Sequence, residues 1–159
     1  VFFETLNFAT LHRLPVLFVL EDNSLAVHTS LENRQGFSVE KVCESFGIKY
    51  LEENRGYDPV LVADAATRGV ESIKSLGGPA LLRVATMRYR EHVGPGEDFD
   101  VGYRQVSEVK AWKDLDPLED RSQFPPDLIA EINEEIAGAV DFAFSSPLSQ
   151  SDELLTDVL

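Results

Sequence analysis

An unbroken apolar run, Val16-Leu17-Phe18-Val19-Leu20, leads directly into the polar segment Glu21-Asp22-Asn23-Ser24. An apolar run without alternation is typical of a strand that is buried on both faces of a parallel sheet. In sheets of this kind, ligands bind where the strands end. The segment therefore predicts a cluster of oxygen donors at the ligand-binding edge of an α/β fold.

The flanking sequence supplies the other elements that a parallel sheet requires. Helices are predicted at residues 1–12, 38–46 and 58–76, and further strands at residues 48–51 and 80–86. Ser38 and Asp58 are suitable N-caps, and Gly47 and Gly77 follow the predicted helix ends. Helices and strands thus alternate along the chain. This order predicts a doubly wound, mainly parallel α/β sheet flanked by helices.

Other segments give more local predictions. Residues 22–37 lack periodicity and predict a long loop. The buried stripe of the third helix is predicted to comprise Val60, Ala63, Ala66, Val70 and Ile73. Beyond an irregular acidic loop, a helix is predicted at residues 106–112. A longer helix is predicted to begin at Pro125-Pro126-Asp127 and to end at Ser145-Ser146-Pro147, with a stripe of Leu128, Ile132, Ile136 and Val140. A last short helix is predicted from Ser151 to Leu159.

Acidic residues are concentrated at the C-terminal end of the 159-residue chain, whose net charge is −14. Residues 114–159 carry −11 and residues 1–113 only −3. We expect an α/β domain at 1–113 and an acidic, mostly helical extension at 114–159 packed on the same domain. This charge argues against binding to nucleic acid. No apolar run reaches the roughly 20 residues that cross a membrane. A single cysteine, Cys43, fits a reducing compartment, and we expect a cytoplasmic protein.

A second polar cluster, Arg88-Tyr89-Arg90-Glu91-His92, follows the strand predicted at 80–86. Two arginines and a histidine at a strand end favour an anion site, although an exposed basic turn is the alternative. Oxygen donors at the end of the first strand and anion-binding groups at the end of the strand predicted at 80–86 together suit a metal-bound diphosphate. Mg²⁺ binds carboxylate, amide, carbonyl and phosphate oxygens.

These two clusters give the chain a family resemblance. With the flanking segments Phe3-Glu4-Thr5-Leu6-Asn7-Phe8-Ala9 and Thr29-Ser30, they resemble the α subunit of thiamine diphosphate-dependent 2-oxo acid dehydrogenases, the E1 component. The similarity extends to Tyr103-Arg104, Trp112 and Asp116-Pro117. It implies a thiamine diphosphate-binding fold, present in part, with thiamine diphosphate and Mg²⁺ as cofactors.

The resemblance also assigns roles to individual residues. Asn23 matches a metal-ligating asparagine, and Leu25 matches a position that binds the metal through its main-chain carbonyl. Ala26 and Val27 match residues that line the cofactor cleft. Arg88 and His92 match an arginine and a histidine that face the diphosphate, and His92 either orients the phosphate or assists acyl transfer.

The implied activity is oxidative decarboxylation of a 2-oxo acid, with acyl transfer to a lipoyl group. The implied partners are an E1 β subunit, in an α2β2 heterotetramer, and a lipoyl acyltransferase core. Some of the phenylalanines in the first helix are then expected at a subunit interface. Two alternatives stay open: a thiamine-dependent enzyme acting on acetoin or a sugar-derived ketone, and a cofactor-free fragment or scaffold subunit.

Three features depart from the family pattern. The Gly-Asp-Gly start of the cofactor motif would lie before Val1, so we expect the 159 residues alone to bind the cofactor weakly or not at all. The segment His92-Val93-Gly94-Pro95-Gly96 replaces His-Ser-x-Ser-Asp and lacks the regulatory phosphoserine. His28 replaces a small residue, and either contacts substrate or is an exposed loop residue.

Overall fold

The computed structural model describes residues 1–156. The chain forms two compact units, one comprising Val1–Glu119 and the other beginning at Asp120. The boundary between residues 113 and 114, and the packing of the extension on the α/β domain, stay predictions.

The first unit contains four helices and five strands. The helices are α1 (Phe2–Leu11), α2 (Val39–Phe46), α3 (Pro59–Leu76) and α4 (Val106–Lys113), and the strands are β1 (Leu17–Asp22), β2 (Leu25–Ala26), β3 (Thr29–Ser30), β4 (Lys49–Glu53) and β5 (Ala80–Ala85). The predicted alternation is confirmed. The long loop predicted at residues 22–37 is wrong in part, because it contains the β2–β3 hairpin and a 3₁₀ turn at Leu31–Asn33.

Capping residues set the limits of α2 and α3 as predicted. The Ser38 hydroxyl accepts a hydrogen bond from the amide of Lys41, and one Asp58 carboxylate oxygen accepts from the amide of Val60 at 2.9 Å. Gly47 and Gly77 follow the two helices with φ of 71° and 70°. Glycine adopts this left-handed conformation without a steric penalty, so it ends a helix at low cost.

The main sheet has the strand order β1-β5-β4, and both pairs are parallel. Asp22 at the end of β1 is opposite Ala85 at the end of β5. The amide of Thr86 continues the ladder by donating to the carbonyl of Asp22 at 2.9 Å. The polar segments that follow β1 and β5 therefore leave the sheet side by side at its carboxyl edge.

The hydrophobic core lies on both faces of the sheet. One cluster contains Leu6 of α1, Cys43 of α2, Ile48 and Leu81, and the other contains Ala65 of α3, Leu82 and Val84. Leu81 and Leu82 point to opposite faces because side chains alternate along a strand. Helices α1 and α2 thus cover one face and α3 the other, which confirms the doubly wound α/β class.

The predicted buried stripe of α3 is partly wrong. Val60 and Val70 are 74% and 40% exposed, and Ala63 is also exposed. The buried positions are Ala65, Gly69 and Ile73. A Cβ added at Gly69 would lie 2.8 Å from a Leu17 methyl carbon, so the helix approaches β1 through its small residues. The close approach of α3 to β1 at Gly69 thus lies on the face that buries Ala65 and Ile73.

The second unit is mostly helical. Helix α5 (Pro126–Ser145) confirms the predicted start and end, and a 3₁₀ helix spans Ser151–Leu155. The stripe of Leu128, Ile132, Ile136 and Val140 is 43–56% exposed. The last residues of the helix predicted at 151–159, numbers 157–159, lie outside the described residues. Within residues 1–156, none of the helices has the length and apolar character needed to cross a membrane.

Candidate functional site

Two side-chain hydrogen bonds shape the turn at the end of β1. One carboxylate oxygen of Asp22, Oδ1, accepts from the amide of Ser24 at 2.8 Å. The amide oxygen of Asn23 accepts from the amide of Leu25 at 2.9 Å. Ser24 has a φ of 59°, in the left-handed region that few residues other than glycine adopt. Asp22 and Asn23 therefore shape the backbone that follows them, as Asx turns do.

The hairpin of residues 24–31 orients the carbonyl of Leu25. The amide of Leu31 donates to the carbonyl of Ser24 at 2.8 Å, so these residues form a hydrogen-bonded pair. Such pairs alternate with non-hydrogen-bonded pairs in an antiparallel ladder, and Leu25 pairs with Ser30. The Leu25 carbonyl is therefore directed away from β3, as a main-chain metal ligand requires.

The segment after β5, residues 86–105, is called here the arginine loop. Its centre is Asp98, a buried carboxylate bound by the Tyr103 hydroxyl and by Arg104, whose Nε donates to Asp98 Oδ1 at 3.0 Å. Arg104 also donates to the carbonyls of Arg88 and Arg90. Burial acts to raise the pKa of Asp98, but the hydrogen bonds from Tyr103 and Arg104 outweigh it and hold the pKa below its usual value. An ionised Asp98 therefore fixes the fold of the loop.

Arg88 joins the arginine loop to the hairpin. Its Nη2 donates to the carbonyl of Val27 at 3.1 Å and to the Tyr103 hydroxyl at 2.5 Å. The same nitrogen lies 3.6 Å from Asp98 Oδ2. His28 at the hairpin tip packs on the Tyr103 ring, with 4.7 Å between ring centroids. Segments about 60 residues apart in sequence thus form one local structure.

The structure brings together some of the residues predicted for the site. Asn23, Leu25, Ala26 and Val27 share the turn and hairpin after β1. Arg88 contacts this hairpin, and its Nη1 lies 3.4 Å from Nδ1 of His92, whose side chain is exposed. Beside Asn23 and Leu25 lies a small cavity of about 120 Å³ that is also lined by Arg34.

Three residues of this region were not singled out by sequence reasoning: Arg83, Asp98 and Glu52. Arg83 of β5 donates through Nε to Asp22 Oδ2 at 2.7 Å and through Nη1 to Glu52. Partial burial acts to lower the pKa of Arg83, but Asp22 outweighs it and raises the pKa. An arginine inside an otherwise apolar strand was the available signal, because a partly buried charge requires a partner.

Comparison with known proteins identifies the family. A family model described as Dehydrogenase E1 component matches residues 1–124. The chain belongs to this family. The predicted resemblance is thereby confirmed, and the hairpin and arginine loop are parts of a dehydrogenase E1 component.

Curated relatives of this E1 chain carry the name pyruvate dehydrogenase E1 component subunit alpha. The proteins from Zymomonas mobilis and Rickettsia bellii are each 32% identical to it, over 99% and 98% of this chain and 47% and 50% of their own lengths. The Rhizobium meliloti protein is 33% identical, over 99% of this chain and 48% of its own. The E1 chain thus spans about half the length of the curated relatives it matches.

The donor set of the E1 chain suits a hard divalent cation. The amide oxygen of Asn23 has a second lone pair beside the one that accepts from Leu25, and the Leu25 carbonyl lies outside the β2–β3 ladder. Among residues 1–156, no group of three or more His, Cys, Asp or Glu side chains is arranged to hold a metal. Neutral oxygen ligands of this kind need anionic oxygens to complete a Mg²⁺ site, which a diphosphate supplies.

Proposed function

We propose that this chain supplies the diphosphate- and metal-binding part of the α subunit of a thiamine diphosphate-dependent 2-oxo acid dehydrogenase. The observation that carries the proposal is the contact between Arg88 and the Val27 carbonyl. This contact joins the oxygen ligands that follow β1 to the arginine loop that follows β5. Membership of the dehydrogenase E1 family, which generally depends on thiamine diphosphate, supports the same function.

In this proposal the turn and hairpin that follow β1 hold the metal, and the arginine loop holds the diphosphate. Asn23 and the carbonyl of Leu25 bind Mg²⁺, and Ala26 and Val27 line the cofactor cleft. Arg88 offsets the diphosphate charge. When bound, thiamine diphosphate supplies the electron sink for decarboxylation of a 2-oxo acid.

The arginine loop prepares Arg88 for this role before any ligand binds. Tyr103, Asp98 and the Val27 carbonyl hold its guanidinium, which leaves the side chain 16% exposed. A fixed guanidinium loses little conformational entropy when it binds an anion. Exposed His92, beside Nη1 of Arg88, is free to hydrogen-bond a phosphate oxygen or to hold a proton for the acyl acceptor.

The rest of the proposal concerns partners and location. We propose an E1 β subunit in an α2β2 heterotetramer, an acyltransferase core whose lipoyl group accepts the acyl fragment, and a cytoplasmic location. Phe3 and Phe8 of α1 are 45% and 57% exposed, which supports an apolar contact with another chain.

Calorimetry of magnesium–thiamine diphosphate binding tests the cofactor site in the full-length protein with its partner subunit. Arg88→Ala should weaken binding by about 1.5–3 kcal/mol, the range for a charge-assisted hydrogen bond. Saturating cofactor should restore much of the activity. Arg90→Ala is the matched control, since Arg90 is an exposed cation two residues away in the same loop.

His92→Ala separates the two roles of that residue. If His92 serves acyl transfer, turnover with a lipoyl acceptor falls while decarboxylation with an artificial electron acceptor persists. If His92 orients phosphate, both activities fall and added cofactor restores both. Wild-type affinity and activity in both Arg88→Ala and His92→Ala would refute the proposed site.

A further inference from the structure

A charged side chain, Arg83, interrupts the buried central strand β5. Its neighbours Leu82 and Val84 are 1% and 4% exposed, and the Arg83 side chain is 20% exposed. A guanidinium in such surroundings is stable only if it is paired and hydrogen-bonded. The hydrogen-bond partners of Arg83 therefore indicate its structural role.

Arg83 binds acidic groups on both neighbouring strands. Its Nε donates to Asp22 Oδ2 on β1 at 2.7 Å. Its Nη1 donates to Glu52 on β4 and, at 3.2 Å, to the side-chain oxygen of Asn54. The guanidinium thus spans all three strands near the carboxyl edge of the sheet.

Asp22 is occupied on both of its oxygens. Oδ2 accepts from Arg83, and Oδ1 accepts from the amide of Ser24 at 2.8 Å. Ser24 has positive φ and separates Asn23 from Leu25, the two proposed metal ligands. The orientation of the Asp22 carboxylate therefore sets the backbone that carries both ligands.

We propose that Arg83 is a positioning residue for the metal site. By holding Asp22, it fixes the turn that presents the Asn23 amide oxygen and the Leu25 carbonyl to a divalent cation. In this proposal Asp22 holds the turn and does not bind the metal, because Arg83 offsets the charge of its carboxylate. This inference rests on the proposed function, because it assumes that Asn23 and Leu25 bind the cation.

Magnesium titration of the full-length protein with its partner subunit tests the inference. The readout is the Mg²⁺ concentration that gives half of the thermal stabilisation by thiamine diphosphate. Arg83→Met should raise this concentration about tenfold, the effect of losing one charge-assisted hydrogen bond. Glu52→Gln is the matched control, because it alters the other partner of Arg83 and leaves the Asp22 contact intact.

A second substitution at Asp22, in the Arg83→Met background, distinguishes positioning from metal binding. Asp22→Asn should return the half-saturating Mg²⁺ concentration to within about threefold of wild type, because a neutral amide oxygen still accepts from Ser24 and needs no cation. Asp22→Ala should not, since it removes the acceptor. This comparison also holds if Arg83→Met alone fails to fold, because both double variants lack the unpaired charge.

Each outcome has a defined meaning. Wild-type magnesium dependence in Arg83→Met overturns the inference. It is also overturned if the half-saturating Mg²⁺ concentration is raised equally when Arg83→Met is combined with Asp22→Asn or with Asp22→Ala, because the charge of Asp22 would then be the requirement. A wild-type protein that shows no magnesium-dependent stabilisation by thiamine diphosphate refutes the proposed function and the inference together. Rescue by Asn and not by Ala supports both.

Discussion

Replacing Val27 by glycine tests the strain in the hairpin turn. Val27 is the first of the two turn residues between Ala26 and Thr29, and its φ is 56°. A two-residue turn with positive φ at this position normally has glycine there. Valine is unfavourable because its branched Cβ crowds the backbone in the left-handed region.

The expected magnitude follows from comparing glycine with alanine at the same position. Relief of the left-handed conformation favours glycine by about 1–2 kcal/mol. The extra chain entropy of glycine opposes this by about 0.5–1 kcal/mol. Val27→Gly should therefore be more stable than Val27→Ala by about 0.75 kcal/mol, the difference between the two mid-range values. The lost valine contacts cancel, because both variants remove the same branched side chain.

Val70 provides the matched control, since it is also valine and is 40% exposed where Val27 is 45% exposed. Val70 lies within α3, so alanine should exceed glycine there by about 1 kcal/mol. Urea denaturation of the four variants of the full-length protein measures both differences. The reasoning fails if Val27→Gly is not more stable than Val27→Ala. The opposite order of stability is expected at position 70.

Two further substitutions probe the packing and the charges around the site. Gly56→Ala should destabilise the protein by about 1–3 kcal/mol in urea denaturation, because the added Cβ would lie 2.0 Å from the carbonyl oxygen of Ala85. Gly36→Ala is the control and should be near neutral, because among the described residues no heavy atom beyond its chain neighbours lies within 4 Å of a Cβ added there. Asp98→Asn should lower the thermal stability of the protein at neutral pH and flatten the decline of that stability below about pH 4. The reason is that the pKa of Asp98 is lower in the folded protein than in the unfolded chain. Its carboxylate therefore stabilises the fold above the unfolded pKa, and this stabilisation is lost as pH falls through the folded pKa. Melting curves between about pH 2.5 and 7 measure both effects, with Asp100→Asn, an exposed carboxylate of the same loop, as the control; parallel curves for Asp98→Asn and wild type would contradict the role of Asp98.

Local chemistry made much of the α/β fold predictable. Ser38 with Gly47, and Asp58 with Gly77, determine where α2 and α3 begin and end through hydrogen bonds within a few residues. The unbroken apolar run at residues 16–20 marked a parallel strand, but the expected burial of this strand on both faces is wrong, because β1 lies at the edge of the described sheet and Val19 is 55% exposed. The alternation of elements leaves parallel pairing as the simple solution.

Long-range pairing was not predictable in the same way. The β2–β3 hairpin has only two paired residues on each strand, and its turn, Val27-His28, lacks the Asn-Gly or Gly-x sequence that indicates such turns. The Arg83–Asp22 pair joins residues 61 positions apart, so only the sheet register brings them together. Positions of the proposed metal ligands followed from family resemblance, whereas the contacts that orient them required the structure.

The buried thiol of Cys43 can be used to measure opening of the α/β unit. Cys43 is the only cysteine of the 159 residues, it has no exposed surface, and burial raises the pKa of its thiol. Reaction with a thiol reagent therefore requires the packing of α1 and α2 on the sheet to open. The rate of alkylation then measures how often this half of the core opens, without any engineered label.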